Sequence, residues 1–373
     1  MRFFHLSDLH IGKRLHEQSL AEDQRYILDQ ILALCASEHP DALILAGDIY
    51  DKTVPSAEAV ELFDDFLTRT AALNIPALVI SGNHDSPERL HYGSRLLEKN
   101  AIYLEGTFRG APRVVTLSDE HEFVDFYLLP FLKAAAVRPF FPDAEIGDEQ
   151  DTVAAALSAV TPDPGRRNVL IAHQFVTGSR GEAVSVGASD NVEVSLFDDF
   201  DYVALGHLHT PQCVGRETVR YCGSPLKYSF AECSAEPSVT VVELLEKGKV
   251  KIDTLPLRPL HDVRVIRGPI DQLTSQDVVD SADRNDYICA ILTDEEELIS
   301  PLDRMRDCYP NLLRLDFDNR RTRAAGVGDA SAEEDRPLAE LFADFYEMQQ
   351  GTPLDESRKK LVEELFASLT NES

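Results

Sequence analysis

Short apolar runs that end in polar, metal-binding residue types recur through the first part of this chain. Runs of about four to eight apolar residues between turn residues are typical of buried strands. If such strands lie side by side, the residues that follow them meet at one edge of the structure. The five runs are Met1–Leu6, Ala42–Ala46, Ala77–Ser81, Asn168–Ala172 and Tyr202–Leu205.

Helical patterns separate the first three of these runs. Apolar residues recur at helical spacing between Leu20 and Cys35 and again between Val60 and Leu67. Ser86 and Pro87 are typical of the start of a third helix. Strands that alternate with helices predict an α/β fold with parallel crossovers, in which ligands bind beyond the carboxyl ends of the strands. Because residues 108–130 and later segments are richer in β-type patterns, we expect a two-sheet β-sandwich flanked by helices.

The chain divides by composition into four parts. We expect the sandwich domain to span residues 1–258, and a small α/β capping domain with three strands to span 259–318. A linker composition rich in Gly, Ala and charged residues follows at 319–336. Residues 337–373 carry two amphipathic helical patterns, which predict partner binding or packing on the chain's own core. The segment Val176–Val194, rich in Gly and Ser, is expected to be a long functional loop.

The residues that follow the five strands form a candidate metal-binding set. Carboxylate, imidazole and amide ligands in this mixture suit a pair of divalent transition ions, which at roughly 3.5–4 Å apart promote displacement at phosphorus. Asp48 is the natural bridge, and His84 is a candidate general acid with Asp85 or Asp51 orienting its ring. The candidate ligands are Asp8, His10, Asp48, Asn83, His173, His207 and His209.

Composition narrows the class of protein. The hydrophobic share of 43% and charged share of 27% are typical of a folded soluble protein. No apolar stretch approaches the roughly 20 residues that span a bilayer, and the apolar start of the chain predicts a strand rather than a signal peptide. Six scattered cysteines favour reduced thiols and a cytoplasmic location.

The net charge of -29 excludes non-specific nucleic-acid binding by the surface as a whole. It leaves room for a local site, because bound cations can invert the field of an acidic centre. Basic residues do occur beside the motifs, where a solvated face and a phosphate contact are equally compatible with the pattern. The candidates for substrate contact are Lys13, Arg14 and Arg89, with Arg180 and Lys227 nearby in sequence.

Taken together, these motifs resemble the calcineurin-like metallophosphoesterase superfamily. The matching residues are Asp8-x-His10, Gly47-Asp48, Gly82-Asn83-His84-Asp85, His173 and Gly206-His207-x-His209. Within it, the order of elements is similar to that of the SbcD family, the nuclease subunits of the bacterial SbcC–SbcD break-repair complex. That finer resemblance rests on His5–Gly12, Gly47–Asp51, Tyr221–Pro225, the small module and the helical tail.

The resemblance implies a ligand arrangement and a biological setting. One ion would be held by Asp8, His10, Asp48 and His209, and the other by Asp48, Asn83, His173 and His207. Manganese is the usual ion of that family, and Ser224 and Pro225 would shape the pocket. Family members cut DNA ends and hairpins with a coiled-coil ABC-type ATPase (SbcC-like), as a homodimer within a heterotetramer. Asp51 stands where some relatives outside bacteria have a His, so a role for that His is not implied here.

Two other functions remain compatible with the motifs. A phosphodiesterase for small nucleotides, or a protein phosphatase, would use the same ligands but would not need the part of the chain after residue 258. A non-catalytic scaffold would need neither His84 nor the complete ligand set, and would bind no metal.

Overall fold

A computed structural model describes residues 1–178 and 191–320, together with Phe342, Tyr346, Arg358, Lys359 and Val362. The structure does not describe Arg180, most of the predicted 176–194 loop, nearly all of the predicted linker or most of the two predicted terminal helices. The two ends of that loop pair with each other as short parallel strands, Val176–Thr177 and Val192–Glu193. No helix in the described ranges is long and apolar enough to cross a membrane.

Strands dominate the described part of the chain. In chain order they are β1 (Arg2–Leu6), β2 (Arg14–Leu15), β3 (Gln18–Ser19), β4 (Ala42–Ala46), β5 (Ala77–Ile80), β6 (Ile102–Glu105), β7 (Arg113–Asp119), β8 (Glu122–Leu129), β9 (Arg167–His173), β10 (Val176–Thr177), β11 (Val192–Glu193), β12 (Tyr202–Gly206), β13 (Gln212–Val214), β14 (Arg216–Tyr221), β15 (Ser238–Leu244), β16 (Val250–Pro256), β17 (Val263–Gly268), β18 (Tyr287–Leu292) and β19 (Leu312–Phe317).

Helices flank these strands. They are α1 (Ala21–Glu38), α2 (Ala57–Ala72), α3 (Pro87–His91), α4 (Ser94–Leu97), α5 (Ala134–Val137), α6 (Glu149–Ser158), α7 (Ile270–Leu273), α8 (Gln276–Val279) and α9 (Pro301–Cys308). The Ser56 side chain caps α2 by accepting a hydrogen bond from Ala59 N at 3.2 Å. The third predicted helix is a single short turn, α3, and the Ser86 side chain makes no capping hydrogen bond there.

Two six-stranded sheets form the predicted sandwich. One has the strand order β16-β15-β1-β4-β5-β6 and the other β13-β14-β12-β9-β8-β7. The five motif strands therefore do not share one sheet: β1, β4 and β5 lie in the first, and β9 and β12 lie in the second. Within each sheet these motif strands run parallel to one another. Their carboxyl ends meet at one edge of the sandwich, which confirms the predicted fold class.

Alternation along the strands separates an inner core from two outer ones. Phe3 points between the sheets, where its ring centroid lies 5.6 Å from that of Phe126 and 5.8 Å from that of Tyr202. The next residue, Phe4, points outward into the core under α1 and α2. This period of two is what a strand buried on both faces requires. Full burial of an aromatic ring stabilises the fold by about 1.5–3 kcal/mol.

A small α/β module follows the sandwich. Strands β17, β18 and β19 form a separate parallel sheet, which packs with α7 and α9 around its own apolar core. Asp23 of α1 joins the module to the sandwich, because its buried carboxylate accepts from His261 N at 3.1 Å and from the Tyr287 hydroxyl at 2.8 Å. The domain limits at 258, 318 and 336 remain a prediction.

Candidate metal centre

The seven predicted ligands converge where the carboxyl ends of the two sheets meet, around Asp48. Asp48 Oδ2 lies 3.5 Å from His10 Nε2 and 3.4 Å from His173 Nε2. One carboxylate oxygen therefore faces a histidine of the first sheet and a histidine of the second. This is the position that a bridging ligand occupies in a two-ion centre.

The other ligands fall into two groups on either side of Asp48. On one side, His10 Nε2 lies 3.1 Å from His209 Nε2 and 4.0 Å from Asp8 Oδ1. On the other side, Asn83 Oδ1 lies 3.0 Å from His173 Nε2 and 3.1 Å from His207 Nδ1. These distances are compatible with the division that the family resemblance implies, although Asp8 also lies within 4.8 Å of Asp48 and His173. The assignment of each group to an ion remains a prediction.

The main chain bends sharply to present these side chains. Asp8, His10, Asp48 and His207 have positive φ angles of 54°, 42°, 50° and 106°. Non-glycine residues adopt such angles rarely, and each such residue costs on the order of 1–3 kcal/mol unless its surroundings hold it. Four of the proposed ligands are therefore held in unfavourable backbone conformations, which is typical of a functional site.

Hydrogen bonds between neighbouring strand ends hold those bends in place. Asp8 N donates to Gly47 O and His10 N donates to Asp48 O, each at 3.0 Å. His207 N donates to the Asp8 carboxylate at 3.1 Å, which joins the two sheets across the site. Gly206 has no room for a side chain, because a Cβ there would lie 2.0 Å from Ala46 O.

Burial and charge set the protonation of the site. Burial lowers the pKa of His10 and lowers that of His207 to about 4, so both imidazoles are neutral at pH 7. Burial alone would raise the pKa of Asp48, but the neighbouring His173 holds the pKa of that carboxyl well below its usual range. Asp48 is therefore ionised. Neutral imidazole and ionised carboxylate are the forms that bind divalent ions. Burial acts against the charged form of His173, but Asp48 raises the pKa of this imidazole to about 9, so it must release a proton when an ion binds.

The donor set fits divalent cations. His10 Nε2 and His209 Nε2 lie 3.1 Å apart on the same side of Asp48. Asp8 and Asp48 are both almost fully buried, at 0% and 2% exposure. Their carboxylate oxygens lie within 4.8 Å of each other, and two buried carboxylates this close repel each other unless a cation lies between them. Divalent ions at the centre would neutralise the charges of Asp8 and Asp48.

His84 lies beside the ligands but is held by the main chain. Its backbone N donates to Asp48 Oδ1 at 2.9 Å, and its ring Nδ1 donates to the backbone carbonyl oxygen of Asp51 at 2.9 Å. The His84 ring centroid is 4.8 Å from that of His10. With Nδ1 engaged, Nε2 is the ring atom left for a substrate.

The two carboxylates expected to orient the His84 ring have other contacts. Asp85 accepts from Ile49 N, Tyr50 N and Gly82 N at 2.9–3.1 Å, and burial raises its pKa to about 6. Asp85 therefore ties two metal-binding turns together and is not placed to act on substrate. The Asp51 carboxylate pairs with Lys13 Nζ at 2.8 Å. The Asp51 carbonyl, rather than either carboxylate, orients the ring.

The predicted substrate contacts separate into two exposed arginines, a partly buried lysine and two buried residues. Lys13 lies close to the ligands through its ion pair with Asp51, with 26% of its side chain exposed. Arg14 is exposed on β2, where it donates to Glu17 O. Arg89 is exposed on α3.

Ser224 and Pro225 are buried beneath the site instead. Ser224 donates its hydroxyl to Leu226 O at 2.6 Å and its N–H to His209 O at 3.0 Å. Ser224 therefore has no free hydroxyl for a substrate. Ser224 holds the His209 segment through its N–H, and a role of the pair in shaping the pocket remains a prediction.

Sequence reasoning missed three residues that support the ligands. Glu232 Oε1 lies 3.0 Å from His209 Nδ1. Gln24 donates to His10 O at 2.7 Å and accepts from Gly12 N at 2.9 Å. The Tyr228 hydroxyl donates to Leu9 O. No local pattern marks any of them, since each contact joins residues at least 12 positions apart in the chain.

Comparison with known proteins identifies the family. The model of the calcineurin-like phosphoesterases matches residues 1–211, and the model described as Type 5 capsule protein repressor C-terminal domain matches residues 259–350. A relative from Staphylococcus epidermidis, the SbcD protein of the nuclease SbcCD, is 33% identical over 322 residues, which cover 84% of this chain and 85% of that protein. The chain belongs to the SbcD family of nuclease subunits.

Another member of this family supports the same assignment over the full length. The SbcD protein from Staphylococcus saprophyticus is 30% identical over 385 residues, covering 100% of this chain and 99% of the relative. Membership makes the chain a metal-dependent phosphodiesterase of the nuclease class. The solved structure of a dimetal phosphatase from Danio rerio aligns with 70% of this chain and 98% of its own chain, with 12% identity and a TM-score of 0.42. This similarity is too low to support any further assignment.

Proposed function

We propose that this chain is the nuclease subunit of an SbcC–SbcD-type complex that cuts DNA ends and hairpins at a dinuclear manganese centre. The observation that carries this proposal is the convergence of two ligand groups on the buried Asp48 carboxylate. Asp8, His10 and His209 would complete one site, and Asn83, His173 and His207 the other. Divalent ions held there supply Lewis acidity to the phosphoryl oxygens and make water a competent nucleophile near neutral pH.

His84 would supply the proton that the leaving oxygen of the broken phosphodiester needs. Its Nδ1–H stays bonded to the Asp51 carbonyl, so transfer from Nε2 converts an imidazolium into the neutral Nδ1–H tautomer. The Asp51 carbonyl oxygen can accept a hydrogen bond from Nδ1 only when Nδ1 carries a proton. This contact therefore fixes the tautomer of His84 before the proton is transferred. The hydrogen bond from His84 N to the Asp48 carboxylate would hold the proposed acid beside the centre.

Substrate would approach over Lys13, Arg14 and Arg89. Lys13 is 2.8 Å from the Asp51 carboxylate, so a phosphate must compete with that ion pair. The two arginines are exposed and offer planar guanidinium groups that pair well with phosphate. In a chain of net charge -29 these cations would guide a polyanion to one edge of the sandwich.

The partner and setting follow from family membership. The relatives are named as parts of the nuclease SbcCD, so we propose a coiled-coil ABC-type ATPase partner bound through residues 337–373, with a homodimer of this chain within a heterotetramer. Residues 259–318 would act as the capping domain and 319–336 as the linker. The six cysteines all lie in the described ranges and are unpaired, which supports a cytoplasmic location.

A cleavage assay with the full chain tests this function. The chain is incubated with Mn²⁺ and labelled linear or hairpin DNA, alone and with its co-expressed ATPase partner. We expect cleavage that chelator abolishes. Intact DNA in both reactions, with rapid hydrolysis of a small nucleotide diester that survives removal of residues 259–373, would instead favour a small-molecule phosphodiesterase.

A further inference from the structure

Glu232 makes a contact to the metal centre that the ligand motifs do not contain. It ends a short 3₁₀ turn, Phe230–Glu232, and only 15% of its side chain is exposed. One oxygen, Oε1, lies 3.0 Å from His209 Nδ1. Because a carboxylate oxygen accepts and the ring nitrogen donates, this contact requires the proton of His209 to be on Nδ1. The lone pair of Nε2 is then directed toward His10 and the centre.

Two further hydrogen bonds hold the Glu232 carboxylate in position. Oε2 accepts from Tyr228 N at 2.8 Å, and Oε1 accepts from the Ser229 hydroxyl at 3.0 Å. The carboxylate is therefore fixed by its own segment before any ligand binds. The same segment reaches the other histidine of this site, because the Tyr228 ring lies edge-on to His10 with centroids 5.4 Å apart.

In the second ion site, His173 is supported by a neutral group. His173 Nδ1 donates to the backbone carbonyl oxygen of Ala46 at 2.8 Å, so its partner is a neutral group. A charged acceptor makes an imidazole a more basic ligand than a neutral carbonyl does, and such supporting groups commonly change metal affinity about 10–100-fold. The two halves of the centre are thus unequal in their surroundings.

We propose that Glu232 is a positioning residue that fixes the tautomer and basicity of His209, and so selectively strengthens the ion site formed by Asp8, His10 and His209. This inference rests on the proposed dinuclear centre. Glu232 touches neither substrate nor ion in this role and acts only through the imidazole. Its loss should therefore weaken one ion site and leave the other as it is.

Titration calorimetry with MnCl₂ on the chelator-treated full chain tests this. Glu232→Gln keeps an oxygen acceptor but removes the charge, and Glu236→Gln makes the same change on an exposed side chain four positions along. We expect two ions per chain in all three proteins. In Glu232→Gln alone, one of the two dissociation constants should rise about 10–100-fold. Melting of the metal-free proteins, measured in chelator, should be the same in the wild type and Glu236→Gln. It should be only slightly lower in Glu232→Gln, whose amide NH₂ cannot accept from Tyr228 N.

Three results would overturn the inference. Two unchanged dissociation constants in Glu232→Gln would show that the contact does not tune the site. Equal weakening of both sites, or a metal-free variant that melts well below the wild type, would show that Glu232 supports the whole centre or the fold. A wild-type chain that takes up no manganese would overturn the proposed centre, and this inference with it.

Discussion

Replacing His84 with Ala should separate proton transfer from metal binding. The ring contacts the Asp51 carbonyl oxygen, whereas the bond that reaches Asp48 comes from the backbone N of residue 84 and survives the substitution. Truncation therefore removes the acid and leaves the bridging carboxylate in place. We expect two ions per chain in the variant, as in the wild type.

The size of the loss follows from the role. A positioned general acid contributes roughly 10²–10⁴-fold to a reaction. That range corresponds to about 2.7–5.5 kcal/mol of transition-state stabilisation. DNA cleavage by His84→Ala should fall within it, with the Michaelis constant for DNA little changed because the ring is not a phosphate-binding cation on the exposed surface.

The leaving group provides the sharpest assay. A nitrophenyl phosphodiester expels an anion that is stable without a proton, whereas the sugar oxygen of DNA requires one. The variant should therefore lose less than about tenfold on the nitrophenyl ester while it loses roughly 10²–10⁴-fold on DNA. Equal losses on both substrates, or loss of an ion from the variant, would refute the assignment and indicate that His84 is a ligand.

Three further changes probe the rest of the centre. Asp48→Asn should abolish cleavage and reduce manganese uptake at both sites, because His10 and His173 both face the replaced oxygen; metal analysis after gel filtration would detect two retained ions if this is wrong. Asp85→Asn should lower the free energy of unfolding by about 1–3 kcal/mol in urea, because Ile49 N and Tyr50 N bond different carboxylate oxygens and the amide NH₂ that replaces one oxygen cannot accept; a stability equal to that of the wild type would show that these hydrogen bonds do not hold the two turns together. Mn²⁺ at 100 times its dissociation constant should stabilise the chelator-treated protein by about 2.7 kcal/mol for each ion bound, and an unchanged melting curve would argue against a native-state site.

The ligand residues could be predicted from sequence because their chemistry is specific and their location is simple. Asp8, Asp48 and Asn83 each follow a short apolar strand within a few residues. Parallel strands place their carboxyl ends on the same side, so neighbours in that layer meet without any further information. That assumption is enough to bring together the ligands within each sheet, but it does not bring the carboxyl ends of the two sheets to the same edge.

The arrangement of the sheets depends on pairings that no local pattern contains. Strand β1 pairs with β4 on one side, but its other neighbour is β15, with Arg2 opposite Glu243. That contact spans most of the chain and was not apparent from the apolar runs. Because β4 and β15 occupy the two sides of β1, the motif strands β9 and β12 cannot pair with β1, and they lie in the other sheet.

Supporting residues were not predictable for a related reason. Glu232 approaches His209 only because the 3₁₀ turn folds back beneath the site. Asp85 sits in a recognisable motif, yet its carboxylate serves three backbone N–H groups and not the His84 ring. Hydrogen-bond partners of this kind are decided by packing, and sequence spacing alone does not distinguish a catalytic carboxylate from a structural one.

The most direct test of the central claim is an anomalous-scattering map from crystals of the full chain grown with Mn²⁺. We predict two peaks roughly 3.5–4 Å apart with the Asp48 carboxylate between them. His10 and His209 should bind one ion, and His173 and His207 the other. A single peak, or peaks away from Asp48, would contradict the dinuclear centre.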